Sequence, residues 1–299
     1  MGRQFQPLGY LGAFAGGVAA GMLGIAAYTT SRLNSPVQQA KVNRYTFTPW
    51  EVQITCERVA FPTADGVTLR GWWLPQEGAT HTIVGCTGHR GVKSDLLGIG
   101  SGLWRAGNNV LLFDFRGCGE SDLVPLSVGF HERRDLQAAI AFARTRTPDA
   151  PLGLIGYSMG AAVSIMIAAA DPTIGAVVAD SSYAAIGDVI AAEYRRLRVP
   201  TFPLLAASDR YNGWRYGYRF EALRPIDHVA RLAPRPLLII HGEQDGLTPV
   251  EHARRLYAAA GQPKECWIVP NAPHCGGYFA DRETYVTRVA DFFAQGLGT

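Results

Sequence analysis

A serine, an aspartate and a histidine, in that chain order and each just past an apolar run, are the residues of this chain best placed to do chemistry. The serine lies in Leu154-Ile155-Gly156-Tyr157-Ser158-Met159-Gly160, an apolar strand running into G-x-S-x-G and then into the helical stretch from Ala161 to Ala170. A strand-to-helix turn of this kind is sharp and strained, and it lifts the hydroxyl above the sheet edge. Gly156 and Gly160 read as positions where the strand and helix backbones approach closely. A serine hydroxyl is a poor nucleophile until a base takes its proton, and the base must be oriented by a third group. The run Pro236 to His241 reads as a buried strand, and the polar turn Gly242-Glu243-Gln244-Asp245-Gly246 follows it. Cys266-Trp267-Ile268-Val269 reads as another strand, followed by the loop 270–277 that carries His274. The order and the strand-end positions therefore single out Ser158, Asp245 and His274 as candidates for acyl transfer through a covalent intermediate. Asp180, after the strand 176–180, is a second candidate acid.

Two further stretches extend the pattern. Asp114-Phe115-Arg116-Gly117-Cys118-Gly119-Glu120-Ser121 follows an apolar run, and Ile226-Asp227-His228-Val229 stands ahead of Pro234-Arg235-Pro236. With these, residues from about 50 to 297 resemble the alpha/beta-hydrolase superfamily of serine hydrolases, nearest to its Bem46-like and prolyl-oligopeptidase-like group of small esterases and peptidases. The resemblance implies an ester-, thioester- or amide-cleaving enzyme without a cofactor, with Ser158 as nucleophile, His274 as base and Asp245 as orienting acid. It implies a carboxylesterase-type activity on small or short-acyl substrates, with a peptidase or a non-catalytic scaffold that keeps the fold as alternatives. A serine at the elbow argues against dehalogenases and most epoxide hydrolases of this fold, which use aspartate there.

Acyl transfer also needs donors for the developing oxyanion. The Met159 backbone N–H, at a helix N-terminus where the dipole favours negative charge, supplies one. The second is expected from the loop after the third strand, Thr87-Gly88-His89-Arg90-Gly91. The resemblance assigns it to the backbone N–H of His89. Relatives show His-Gly at the first two positions of this loop, where this chain has Thr87-Gly88. The His89 side chain is read either as a second base or as a group that packs the loop.

Strands and helices alternate as an α/β fold requires. Val52–Phe61 and Val67–Leu74 read as a hairpin turning at Asp65-Gly66. Strands follow at 82–86, 109–113, 152–155, 176–180, 236–241 and 265–269. Helices are expected near 94–106, 131–145, 159–170, 249–260 and 283–295. The expected class is an alpha/beta-hydrolase fold: a mostly parallel eight-stranded sheet flanked by helices, with ligand chemistry at the carboxyl edge. The continuous apolar run Val110–Phe113 fits a strand buried on both faces. Glu132 and Asp135 open a helix and read as structural.

Hydrophobic content of 47%, charged content of 18% and a net charge of +3 suit a globular domain with a sizeable core and give no reason to expect a nucleic-acid partner. No metal-ligand spacing or phosphate-binding loop stands out. Cys56, Cys86, Cys118, Cys266 and Cys275 form no C-x-x-C pair. Cys118 and Cys275 fall near the expected site and read either as redox sensors or as small packing residues.

The segment 1–30 is separate in character. From Leu8 to Tyr28 it carries no charge, with Arg3 and Arg32 on either side. That length is enough for a helix to cross a bilayer, which takes ~20 residues. Leu8, Leu11, Phe14, Val18, Met22 and Ile25 form one stripe, and Gly12-x-x-x-Gly16 and Gly17-x-x-x-Gly21 offer small-residue spacings through which a homo-oligomer could pack. An N-terminal transmembrane anchor is expected, with a cleaved signal peptide as the alternative. Arg3 on one side balances Arg32, Lys41 and Arg44 on the other, so the side of the membrane stays open. Residues 31–49 read as a linker and 50–299 as the catalytic domain. An insertion at 185–225 is the expected cap, rich in arginine (Arg195, Arg196, Arg198, Arg210, Arg215, Arg219, Arg224) and in aromatics (Tyr194, Phe202, Tyr211, Trp214, Tyr216, Tyr218, Phe220). Two readings stand: a lid whose aromatic side lines an acyl pocket and whose basic side meets anionic groups, or an amphipathic cap with a solvated arginine face.

Overall fold

The computed structural model describes residues 7–37 and 47–298; among side chains, those of residues 7–15 and 19 also lie outside the description. Arg3, Lys41 and Arg44 therefore fall outside it, as do the side chains of Leu8, Leu11 and Phe14.

A helix α1 (Pro7–Asn34) precedes the hairpin β1 (Glu57–Pro62) and β2 (Thr68–Leu74). Then come β3 (His81–Cys86), a 3-10 turn at Lys93–Leu96, α2 (Leu97–Arg105), β4 (Asn108–Asp114) and α3 (Glu132–Arg146). Next are β5 (Leu152–Tyr157), α4 (Met159–Ala168) and β6 (Ile174–Asp180). The insertion holds α5 (Ile186–Arg196) and α6 (Thr201–Tyr216). The chain ends with β7 (Leu237–Gly242), α7 (Glu251–Ala259), β8 (Lys264–Val269), the short α8 (Gly277–Ala280) and α9 (Arg282–Leu297). The 8-stranded sheet has the order β1-β2-β4-β3-β5-β6-β7-β8. Strand β2 is antiparallel to both its neighbours, and every other pair from β4 to β8 is parallel.

The central strands are buried on both faces, which explains their unbroken apolar runs. Alternate residues feed two cores. Val84, Leu111, Phe113, Leu154 and Ile239 face α3, α4, α7 and the insertion. Ile83, Val110, Leu112, Ile155 and Leu238 face α2 and α9. The expected first strand is shorter than its apolar pattern suggests, because residues 49–54 form local turns. There the Gln53 N–H donates to the Trp50 carbonyl and the Ile54 N–H to the Pro49 carbonyl.

The turn after β4 is a buried ionic frame. Asp114 accepts hydrogen bonds from the Lys93 ammonium at 2.5 Å and the Glu120 N–H at 2.9 Å, and Lys93 also pairs with Glu120 at 2.6 Å. A Cβ on Gly119 would lie 2.2 Å from the Asp114 carboxyl, which explains the glycine. Arg116 binds Asp135 and Asp65 together, and Glu132 accepts from the Ser127 and Gly129 N–H groups. Both acids at the start of α3 hold backbone and arginine in place.

The N-terminal segment differs from expectation. It is helical, yet among the described residues no helix is long and apolar enough to cross a membrane. The physical reason lies in its composition and its docking. Its last turns, from Thr29 to Asn34, are polar. Ala26, Thr30 and Asn34, spaced by four, are buried as α1 packs along α6. Asn34 Nδ2 donates to Asn212 Oδ1 at 2.9 Å, and the Tyr218 hydroxyl donates to Asn34 Oδ1 at 2.9 Å. The small-residue face is open: a Cβ built on Gly16, Gly17 or Gly21 would meet nothing within 4 Å.

Gly160 gives the sharpest packing test. A Cβ there would sit 2.4 Å from the carbonyl oxygens of Cys86 and Thr87, which cannot yield without moving β3 against α4. Gly160→Ala is expected to lower the unfolding free energy by at least the ~1–3 kcal/mol typical of overpacking. Gly187→Ala, which meets open space, is the control. Urea unfolding monitored by circular dichroism measures both.

Candidate active site

Ser158 sits between β5 and α4 at φ 52° and ψ −115°, a backbone conformation that L-residues rarely adopt. Close packing holds it there. A Cβ on Gly156 would strike the Gly160 backbone at 2.4 Å, and the Ser158 N–H donates to the Asp180 carbonyl at 2.8 Å. The turn tips the hydroxyl away from the core and leaves the side chain half-buried.

Ser158, Asp245 and His274 come together in one hydrogen-bonded line. Ser158 Oγ lies 2.9 Å from His274 Nε2, and His274 Nδ1 lies 2.6 Å from Asp245 Oδ2. An ionised carboxylate can only accept, so Nδ1 carries the hydrogen and Nε2 is free to accept from the serine. The Asp245 carboxylate is wholly buried, whereas the His274 ring keeps some access to solvent. Burial pushes the Asp245 carboxyl up, but hydrogen bonds from His241, His274 and the Thr248 N–H outweigh it and hold the group well below the usual carboxylate range. Its other oxygen accepts from the Leu247 and Thr248 N–H groups at 2.9 and 2.7 Å.

Two supports around this line were not read from the sequence. His241 Nε2 lies 2.6 Å from the Thr248 carbonyl and 3.3 Å from Asp245 Oδ2, so it braces the acid turn from inside the core. The His-Gly-x-x-Asp spacing was visible, but nothing in it indicates that the imidazole folds back. Asp180 belongs to the other support. The Tyr285 hydroxyl donates to Asp180 Oδ2 at 2.7 Å, and the Ser181 hydroxyl donates to Asp180 Oδ1 at 2.9 Å. The Cys275 N–H then donates to Ser181 Oγ at 3.0 Å, which anchors the loop one residue beyond His274. Asp180 is fully buried and burial raises its pKa. It holds the histidine loop, and Asp245 is the acid on the histidine ring.

A cavity of about 480 Å³ opens beside Ser158. Its polar end holds Thr87, Gly88, His89, Ser158 and His274, and Leu96, Ile99, Tyr157, Leu247, Tyr278 and Phe279 make an apolar wall. Gly88 lies against Ser158: a Cβ there would be 3.5 Å from the serine Cβ. Met159 opens α4, so its N–H has no helical acceptor. Met159 and the His89 loop thus flank the serine. Burial pushes the His89 imidazole down to about 4, and the hydroxyl's partner is His274. Thr87 Oγ1 and His89 Nδ1 are buried without a partner among the described residues. Cys275 borders the cavity as a free thiol whose pKa is raised by burial and by Asp180. Cys118 is buried and its thiol is pushed up to about 12, first by burial.

The insertion does not line this cavity. Tyr194, Tyr218 and Phe220 are buried in the core, and Phe202 and Trp214 face outward. The reading of an aromatic lid over an acyl pocket is therefore replaced: α2, α8 and the turn after β7 wall the site. Sequence spacing missed these residues because they come from segments far apart in the chain.

Comparison with known proteins agrees with the fold. A profile of the alpha/beta hydrolase family matches residues 91–289. Protein YqkD of Bacillus subtilis is 31% identical over 242 residues, 79% of each chain. Protein YfhR of Escherichia coli K12 is 31% identical over 260 residues, 83% of each chain. Among solved structures, the Pyrococcus furiosus esterase Pf2001 superposes with a TM-score of 0.73 at 25% identity, covering 89% of this chain and 99% of that one.

Two substitutions probe the line. Asp245→Asn keeps the shape but favours the wrong imidazole tautomer, and kcat for ester hydrolysis is expected to fall by about 10⁴-fold. Because the folded-state pKa of Asp245 is depressed, its contribution to stability is present above about pH 3.9 and is lost as pH falls toward the folded value. The stability gap between wild type and variant should therefore narrow below about pH 3.9 in acid titration. Ser181→Ala leaves the half-buried Cys275 N–H without its acceptor. It should cost about 1–3 kcal/mol of stability in urea unfolding, with a lowered kcat and little change in KM.

Proposed function

The chain belongs to the alpha/beta hydrolase family, and from that premise we propose that it is a serine hydrolase of carboxylesterase type. The observation that carries this reading is the hydrogen-bonded line Ser158–His274–Asp245 at the edge of a cavity with a polar end and an apolar wall. In this mechanism His274 Nε2 takes the hydroxyl proton as Ser158 Oγ attacks the substrate carbonyl carbon. The backbone N–H groups of Met159 and His89 receive the oxyanion, where each such donor contributes roughly 3–4 kcal/mol. The imidazolium then protonates the departing alkoxide and the acyl group stays on Ser158. Water, deprotonated by the same imidazole, releases the acid and restores the hydroxyl.

Cavity size and lining support a small substrate. About 480 Å³ lies toward the lower end of the range for small-molecule sites. Leu96, Ile99 and Tyr278 favour an apolar acyl or aryl group, and no charged pocket awaits a peptide side chain among the described lining residues other than Asp95. The esterase Pf2001 offers an analogy of the same kind. A peptidase of the prolyl-oligopeptidase-like type is the second reading, and a scaffold without activity is the third.

Hydrolysis of p-nitrophenyl esters from acetate to palmitate separates these readings. Short-chain activity that falls with acyl length and disappears in Ser158→Ala is the expected result. Inactivity on every ester with intact fluorophosphonate labelling of Ser158 would move the assignment to a peptidase. Absence of labelling in folded protein would leave the scaffold.

A further inference from the structure

The insertion that fails to line the cavity presents a different surface. At the end of α5 and in the turn after it, Arg195, Arg196, Leu197 and Arg198 are exposed, and Phe202 follows with 84% of its surface in solvent. Along α6, Leu204, Ser208 and Asn212 are buried at four-residue steps. Ala206, Arg210 and Trp214, also four apart, are exposed on the opposite side, Trp214 at 78%. Its ring leans on Tyr211 at 5.6 Å between centroids.

The charges of this surface are unbalanced. Three of its four acids are already engaged: Asp188 pairs with Arg255, Glu193 with Arg196, and Asp209 with Arg219, which leaves Glu221, beside Phe202, as one carboxylate against four arginines. Among the described residues no carboxylate pairs with Arg195, Arg198, Arg210 or Arg215. Exposed aromatic and aliphatic side chains set among unpaired arginines match the requirements of a lipid interface, where rings sit at headgroup level and guanidinium groups meet phosphates. Helix α1 continues the surface, since it packs along α6 and exposes Leu23, Ile25 and Tyr28.

We infer that the outer face of α5 and α6, with the adjoining face of α1, docks the protein peripherally on a membrane rich in anionic lipid. A second copy of the chain fits this face poorly, because a two-fold contact would oppose arginine to arginine. Docking requires no spanning segment. It also accounts for solvent-facing Phe202 and Trp214, which neither the core nor the cavity uses.

The test is co-sedimentation of the full chain with vesicles of phosphatidylcholine alone and with phosphatidylglycerol added, at low and physiological salt. Binding to the anionic vesicles is expected, weaker at the higher salt and at least tenfold weaker on the neutral ones. Each unpaired arginine should contribute about fivefold. The quadruple variant Arg195→Gln, Arg198→Gln, Arg210→Gln, Arg215→Gln should therefore lose at least a hundredfold, and Phe202→Ser with Trp214→Ser should lose at least tenfold. All six side chains are on the surface, and thermal unfolding checks that both variants fold. Equal binding to the two vesicle types, or undiminished binding by either folded variant, overturns the proposal. So does binding to heparin or single-stranded RNA without sedimentation on vesicles, which would make the face a soluble-polyanion site.

Discussion

A serine held at positive φ is the constraint on which the site depends. Such a backbone conformation costs on the order of 1–3 kcal/mol and persists only where its surroundings over-determine it. Here the surroundings are the end of β3 and the first turn of α4, packed so closely that neither Gly156 nor Gly160 has room for a methyl group. The Ser158 N–H is tied to the Asp180 carbonyl on the neighbouring strand. The strain is thus supported by the rigid centre of a sheet whose strands are buried on both faces. The same closeness brings Gly88 against the serine and places the β3 loop beside the first N–H groups of α4.

Parallel strand order does the rest. Strands β5, β6, β7 and β8 are adjacent and point the same way, so residues just past their ends meet at one edge. Ser158 follows β5, Asp180 ends β6, Asp245 follows β7 and His274 follows β8. Two carboxyls near one histidine would compete if both were ionised and free. Tyr285 and Ser181 occupy the Asp180 carboxyl, and burial disfavours its charge. Asp245 receives backbone and imidazole donors that favour its charge. Environment thus separates two acids that occupy similar places in the chain.

The insertion shows that composition does not settle orientation. Its arginines and aromatics were compatible with a lid, and the fold instead buries Tyr194, Tyr218 and Phe220 and turns Phe202 and Trp214 outward. Asn34, Asn212 and Tyr218 form a buried polar junction between α1 and the insertion. The two contacts of Asn34 span more than 170 residues of sequence, and no local pattern announces them. The N-terminal helix was legible as a helix because its uncharged stretch is long. Its docking depended on α6, which its own residues do not describe.

By itself the sequence determined the alternation of strands and helices, the elbow at Ser158 and the order of the three chemical residues. Each of these follows from local forces: the periodicity of burial, glycine where backbones touch, and polar turns after apolar strands. Tertiary structure alone decided that Tyr285 and Ser181 engage Asp180, that His241 and Ser181 brace the two loops, and that α2 and α8 wall the cavity. It also decided which way the insertion faces. These outcomes depend on distances between segments remote in sequence, and such distances are set by the packing of whole layers.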